Sequence, residues 1–406
     1  METQPLILPT ATATAASPPK PPSSSSQFKT FANVLIAIVG SGVLGLPYTF
    51  RRTGWLAGIL ILFAVATVAY YCMVTLIAIR HELESRDQFA RITSFGDLGF
   101  AICGPPGRLV VDLMIILTQA GFCVSYLVFI AQTLTHLFNA SANKSLFIWA
   151  LLPFQMGINS IPTLTHLAPL SILADVVGVG ALGVAMAYNA GVFLSHRPAI
   201  HPFTGSSSLL YAVGVAAYAY EGVGMVLPLE SETTQRAKFT KVLGLSMVFI
   251  TFTYAAFGVL GYMAFGDDTK DIITVNLGTS VVSYLVQFGL CVNLFLTFPL
   301  MMNPVYEVVE RRLADAGYSL WIRWAAVVGV TVVAVTVPNF ADFLSLVGSS
   351  VCIALGFVLP ALFHMIVFGR ELRWWSVGID VCVSVLGVGL GVWGTWTSLV
   401  GIFGSA

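Results

Sequence analysis

The first long apolar run of the chain contains Ile38-Val39-Gly40-Ser41-Gly42-Val43-Leu44-Gly45-Leu46-Pro47. A continuous spanning helix hides its backbone in its own hydrogen bonds. Gly40 and Gly42 instead favour an opened turn, and Pro47 has no N–H to continue the ladder. Unpaired backbone at membrane depth is tolerated only where it is buried in protein or lines a water-filled cavity. A second break of the same grammar follows at Tyr220-Glu221-Gly222-Val223-Gly224-Met225-Val226-Leu227-Pro228. The two breaks lie about 180 residues apart, the arrangement expected of corresponding helices in two related halves.

Apolar runs able to cross ~30 Å of hydrocarbon fall near 30–50, 54–79, 108–137, 145–160, 167–193, 207–229, 239–264, 279–308, 321–338, 341–368 and 376–402. With 57% hydrophobic and 9% charged residues, and a mean hydropathy of +0.87, the chain is expected to be an all-α polytopic membrane protein. Five spans begin at each break. This predicts eleven transmembrane helices in a five-plus-five inverted repeat, with helices one and six broken. The expected units are a disordered cytosolic tail over 1–27, repeats over 28–193 and 207–368, and an extra C-terminal helix over 376–402.

With the N-terminus cytosolic, fourteen Lys and Arg fall on the cytosolic side and five (Arg51, Arg52, Lys144, Arg197, Lys270) on the other. That is the positive-inside pattern, and an odd number of spans puts the C-terminus in the lumen. The sequons at Asn139 and Asn143 fall in a loop this topology also places in the lumen. The Pro/Ser-rich tail carries Glu2-Thr3-Gln4-Pro5-Leu6-Ile7, an acidic dileucine pattern that a sorting adaptor would read as an endosomal, lysosomal or vacuolar address. In the 80–107 loop, Phe95, Leu98, Phe100 and Ile102 are spaced for a short interfacial helix ending at Gly104-Pro105-Pro106-Gly107; a plain solvated loop is the alternative.

A broken helix exposes N–H groups at the start of its second half and C=O groups at the end of its first. The former suit a carboxylate and the latter an ammonium group, so paired breaks suit a zwitterionic amino acid. The expected substrate contacts are Gly40, Ser41, Gly42, Tyr220, Glu221 and Gly222; close helix packing is the competing role of the glycines. Intramembrane carboxylates cost about 2.5–3.5 kcal/mol on insertion scales, which makes Glu221 and Asp175 the proton-coupling candidates. Glu221 has an equal claim to a structural role, holding the unwound segment through backbone N–H groups, and Asp175 to pairing or capping. Asp112, Asp342, Asp380, Glu307 and Glu310 lie near span ends and read as interfacial, and His136, His166 and His364 as polar anchors. Asn293 and Thr297 either line a cation position or bond between helices.

No basic tract points to nucleic acid, and no GxxxxGK[ST], GxSxG or HExxH is present, so neither an enzyme nor an ATP-driven pump is expected. The six scattered cysteines suggest neither a metal site nor a disulfide framework, and no cofactor is expected.

The run Ala37 to Tyr48 resembles the first-helix motif of the amino acid/auxin permease family, and Tyr218-Ala219-Tyr220-Glu221-Gly222, with Pro228 and Glu230 downstream, is similar to its sixth helix. Phe95-Gly96-Asp97-Leu98-Gly99 and the loop from Phe265-Gly266 to Asn276-Leu277 match in kind, so the resemblance covers nearly everything past residue 28. It implies secondary transport of amino acids on the five-plus-five fold, most like plant and fungal vacuolar neutral amino acid transporters and animal proton-assisted ones. Sodium-coupled members carry an asparagine before Ala-Ile-Val-Gly-Ser-Gly. Here Ile36 stands there, with Asn33 and Thr297 as the remaining cation-site candidates, so the resemblance favours a proton. The expectation is a monomeric vacuolar transporter of neutral amino acids working by alternating access; a sensor on the same fold, a channel, and a plasma-membrane permease are the alternatives.

Overall fold

The computed structural model describes residues 24–86, 92–138, 143–162, 164–196, 198–205, 208–233, 235–278, 280–314 and 317–403. The sorting pattern at Glu2, Leu6 and Ile7, the sequon residue Asn139 and the side chain of His166 lie outside the described residues. Among the described residues every regular element is helical. The first span is α1 (Ser24–Ile38), a tight turn over Ser41–Gly45, and α2 (Leu46–Thr53), with a bend of 53° between its halves. Gly40 is extended at the break, and Pro47 sits in the first turn of α2, where its missing N–H has no helical acceptor to lose. Helix α1 starts at Ser24 rather than after the expected tail boundary at 27; the Gln27 amide there donates to the Gln235 side chain at 3.3 Å.

Then follow α3 (Trp55–Ser85), α4 (Phe95–Leu137), α5 (Lys144–Asn159) and α6 (Leu164–His196). The second broken span is α7 (Leu209–Ala219) and α8 (Val223–Glu232), with Tyr220 to Gly222 outside the helix. The chain continues through α9 (Arg236–Phe265), α10 (Val281–Leu313), α11 (Leu320–Thr336), α12 (Phe340–Phe368) and α13 (Trp374–Phe403). Among the described residues eight helical spans, α7 and α8 counted together as one, are long and apolar enough to cross a membrane, nine with the bent first pair; α5, at 16 residues, and α11, at 17, are shorter.

Phe95 to Cys103 form the expected short helix, capped by Ser94, whose hydroxyl accepts from the Asp97 N–H at 3.1 Å. Its chain turns into the spanning part of α4 at Gly104, whose φ of 66° is open to glycine at little cost. Two groups of helices face each other. The broken spans pack with α3 and α9, whereas α10 packs on α4 and α6, with α5 and α11 behind. Within α12, residues 348–352 and 354–358 form wide π-type turns, the first beside α7 and the second beside α3 and α8.

Charged contacts sort by end. Arg51 donates to the Thr269 carbonyl, Arg52 pairs with Asp342 at 2.9 Å, and Lys144 donates to the Val337 and Pro338 carbonyls at one end. At the other, Arg80 pairs with Glu230, Arg108 with Asp97, and Arg323 with Glu310. Three carboxylates read as interfacial are instead buried: Glu310, which Arg323 holds at 2.9 Å, Asp112 and Asp380. Asp112 is 3% exposed because three arginines converge on it, and Asp380 is 0% exposed because His364 and Tyr71 each reach it at 2.7 Å. All six cysteines are free thiols.

Candidate functional site

The two breaks meet. A Cβ at Gly42 would fall 2.6 Å from the Cα of Ala219, so only glycine lets the first break reach the second. The Ser41 hydroxyl and the Tyr218 hydroxyl are 3.0 Å apart across the contact. The Tyr254 hydroxyl of α9 lies 3.2 Å from the Ile38 carbonyl and 3.3 Å from the Ala219 carbonyl, the residues on which α1 and α7 end. Such terminal carbonyls have no helical donor, and a buried one needs another partner. Tyr254 is fully buried, and the sequence carries no signal that singles it out within the apolar run of α9.

Beside this contact lies a narrow cavity of about 50 Å³, walled on one side by residues 36–42, Tyr218, Ala219 and Glu221. Phe122, Tyr126, Asp175, Asn293, Thr297 and Met301 from α4, α6 and α10 form the other wall. Gly40, Ser41, Gly42, Glu221, Asp175 and Thr297 therefore line one cavity. The Asn293 amide donates to the Ala174 carbonyl at 2.6 Å, tying α10 to α6 next to Asp175, and Thr297 donates to the Asn293 carbonyl at 2.7 Å. Phe122 packs edge-on against Tyr218, with ring centroids 4.7 Å apart.

Three expected contacts fall elsewhere. The Tyr220 side chain turns from the cavity to pack on Tyr254, at 5.4 Å between rings. Gly222 is outside the lining because it receives Ile38: a Cβ there would lie 2.7 Å from Ile38 Cγ1. Asn33 sits on α1, half-buried and not among the lining residues, so it and Thr297 do not share the cavity.

Glu221 is 8% exposed, and its carboxylate lies against the π-type turn of α12, 3.2 Å from where a Cβ on Gly356 would stand. No Lys, Arg or His pairs with Glu221 or Asp175 among the described residues. The lining contains no Lys or Arg either, so the cavity offers carboxylates, hydroxyls and bare peptide groups within an apolar wall. That combination binds an ammonium group and a small uncharged side chain more readily than an acidic one.

Residues 23–400 match the family described as transmembrane amino acid transporter protein. The chain is 60% identical over 393 residues to the Amino acid transporter AVT3B of Arabidopsis thaliana, covering 93% of this chain and 94% of that one. To the Vacuolar amino acid transporter 3 of Saccharomyces cerevisiae it is 26% identical over 408 residues, covering 93% of this chain and 57% of the yeast protein. Its fold is shared with the crystal structure of MhsT in complex with L-phenylalanine, at a TM-score of 0.52 and 14% identity over 94% of this chain and 97% of that one. The glycine-rich first break, the glutamate-bearing second break and the matched length agree: the chain belongs to the transmembrane amino acid transporter family.

Proposed function

We propose that the protein is a secondary active transporter of neutral amino acids in the vacuolar membrane, with its N-terminus cytosolic and its C-terminus lumenal. The observation that carries this reading is the direct contact of the two breaks beside one cavity, where Gly40, Ser41 and Gly42 face Tyr218, Ala219 and Glu221. The substrate carboxylate would take the peptide N–H groups at the start of the second half-helices, and its ammonium the carbonyl ends and acidic groups. A neutral side chain suits a wall without Lys or Arg. The vacuolar address is supported by the yeast relative, Vacuolar amino acid transporter 3.

Glu221 is the proposed proton acceptor, with Asp175 across the cavity as a second. Both line the cavity and lack a cationic partner among the described residues. With Asn33 away from the cavity, a proton fits this site better than sodium. A volume of about 50 Å³ holds little more than a water or two. Admitting an amino acid therefore requires the helices carrying the breaks to rock against α4, α6 and α10, as alternating access demands.

The test is counterflow of labelled neutral amino acids in proteoliposomes, with and without an imposed pH gradient. Wild-type protein is expected to show saturable exchange and gradient-driven accumulation. Glu221→Gln is expected to lose accumulation while keeping exchange. Binding without flux would support a sensor instead, flux that fails to saturate would support a channel, and full accumulation by the glutamine variant would remove Glu221 from coupling.

A further inference from the structure

A second cleft, of about 560 Å³, opens between the short helix before Gly104, the first turns of the spanning part of α4, and the end of α10. It lies at the end of the bundle that the arginine distribution assigns to the cytosol. Arg108, Arg311 and Arg312 converge there on Asp112, with their nearest nitrogens 3.9, 3.8 and 3.5 Å from its Oδ2. At these separations none of the three donates a hydrogen bond to Asp112. Arg108 does donate through Nη2 to Asp97 at 3.0 Å, but its Nε is buried and has no hydrogen-bond partner. Arg311 and Arg312 make no hydrogen bond through their side chains to any described residue.

Asp112 is 3% exposed, whereas the three guanidinium side chains around it keep 30%, 39% and 43% of their surface exposed, so they stay open to an anion entering the cleft. Asp112 offsets enough repulsion to hold them together, and with Asp97 counted the cluster still carries three cations against two anions. Arg108, Arg311 and Arg312 line a cleft whose other surface is apolar. Phe100 and Leu109 line it and are 45% and 48% exposed. A positive, donor-rich floor beside an exposed apolar lip, at the junction of a spanning helix with an interfacial one, matches a phospholipid. The phosphate meets the arginine forks and the glycerol and acyl region meets the lip.

We propose that this cleft binds the phosphate headgroup of an anionic phospholipid from the cytosolic leaflet. The cleft is separate from the substrate cavity and shares no lining residue with it. Yet it is built on α4 and α10, the two helices that supply Phe122, Tyr126, Asn293 and Thr297 to that cavity. A bound headgroup would therefore brace the wall against which the broken helices move.

The experiment uses the full chain purified in detergent, with thermal unfolding followed as phosphatidylinositol or phosphatidylcholine is added in mixed micelles. Inorganic phosphate and inositol 1-phosphate form a separate arm. Phosphatidylinositol is expected to raise Tm saturably and phosphatidylcholine not to, with the effect weakening as salt is added. The Arg311→Gln/Arg312→Gln variant is expected to need at least tenfold more phosphatidylinositol for the same shift. If that variant does not fold, Arg312→Lys, which keeps the charge but loses the fork, is expected to show a smaller loss. An equal response to both lipids, an unchanged response in the variants, or equal stabilisation by free phosphate would each overturn the proposal.

Discussion

The Tyr254 hydroxyl stands 3.2 Å from the carbonyl of Ile38 and 3.3 Å from that of Ala219, so one side chain on α9 serves the last turn of both broken helices. Tyr254→Phe removes that donor and leaves buried carbonyls without it, which is expected to cost about 1–3 kcal/mol. The expected readouts are a lower Tm and, because both breaks loosen, counterflow affinity weakened by roughly tenfold. Unchanged stability and affinity would mean that water or another group holds these carbonyls.

Gly42 tolerates no side chain. Its Cβ would sit 2.6 Å from Ala219 Cα and 2.9 Å from Ala219 Cβ, both on short, stiff parts of the chain that cannot swing aside. Gly42→Ala is expected to push the breaks apart, at about 1–3 kcal/mol of overpacking strain, and Gly42→Val to abolish substrate binding. Isothermal titration or counterflow with either variant reads this directly, and full affinity in the valine variant would place the substrate elsewhere.

Arg80 and Glu230 are both fully buried and pair at 3.1 Å, while Arg80 also reaches the Leu227 carbonyl and Glu84. The pair pins α8 to α3. Arg80→Met takes the guanidinium from buried Glu230, leaving half-exposed His81, 2.7 Å from its other oxygen, as the remaining basic partner, and is expected to destabilise the protein by about 3 kcal/mol. Adding Glu230→Leu is expected to restore most of that loss, because an apolar pair of similar volume replaces two desolvated charges. If the double variant unfolds as readily as the single one in thermal melts, the cost is not that of a buried carboxylate deprived of Arg80.

Asp271 lies in the loop after α9, where burial pushes its carboxyl above the ordinary range and Asp342 adds to the effect, against backbone N–H groups of Ile272 and Phe340. The folded state therefore holds this proton more tightly than the unfolded chain does. Stability from it is fully present below the ordinary carboxylate range and is lost as pH rises through the raised value. Wild-type protein is expected to melt higher in acid than at neutral pH. Asp271→Asn is expected to flatten that slope and to be the more stable of the two at neutral pH. Parallel pH profiles for the two proteins would exclude Asp271 as the cause.

The membrane class, the positions of the helices and the existence of two breaks were legible in the sequence, because apolar length and the backbone chemistry of Gly40, Gly42 and Pro47 are local properties. So was much of the cavity: Glu221 and Asp175 stood out as carboxylates that hydrocarbon penalises wherever they point. Asp112 and Asp380 were harder. Their nearness to a span end suggested an interface, whereas Arg311, Arg312 and Tyr71 arrive from helices remote in sequence and His364 from the preceding helix.

What the sequence by itself determined is that two spans must open and that their open backbone must be sheltered. Only the tertiary structure decided how. It turned Tyr220 onto Tyr254 and gave Gly222 to Ile38, while Tyr218 received Ser41. It also left Asn33 outside the cavity that Thr297 lines. The reason is rotational. Neighbouring residues at a helix end point to different sides, and which side faces the cavity depends on the packing of α9 and α12 against the breaks, through contacts that no local pattern in the sequence encodes.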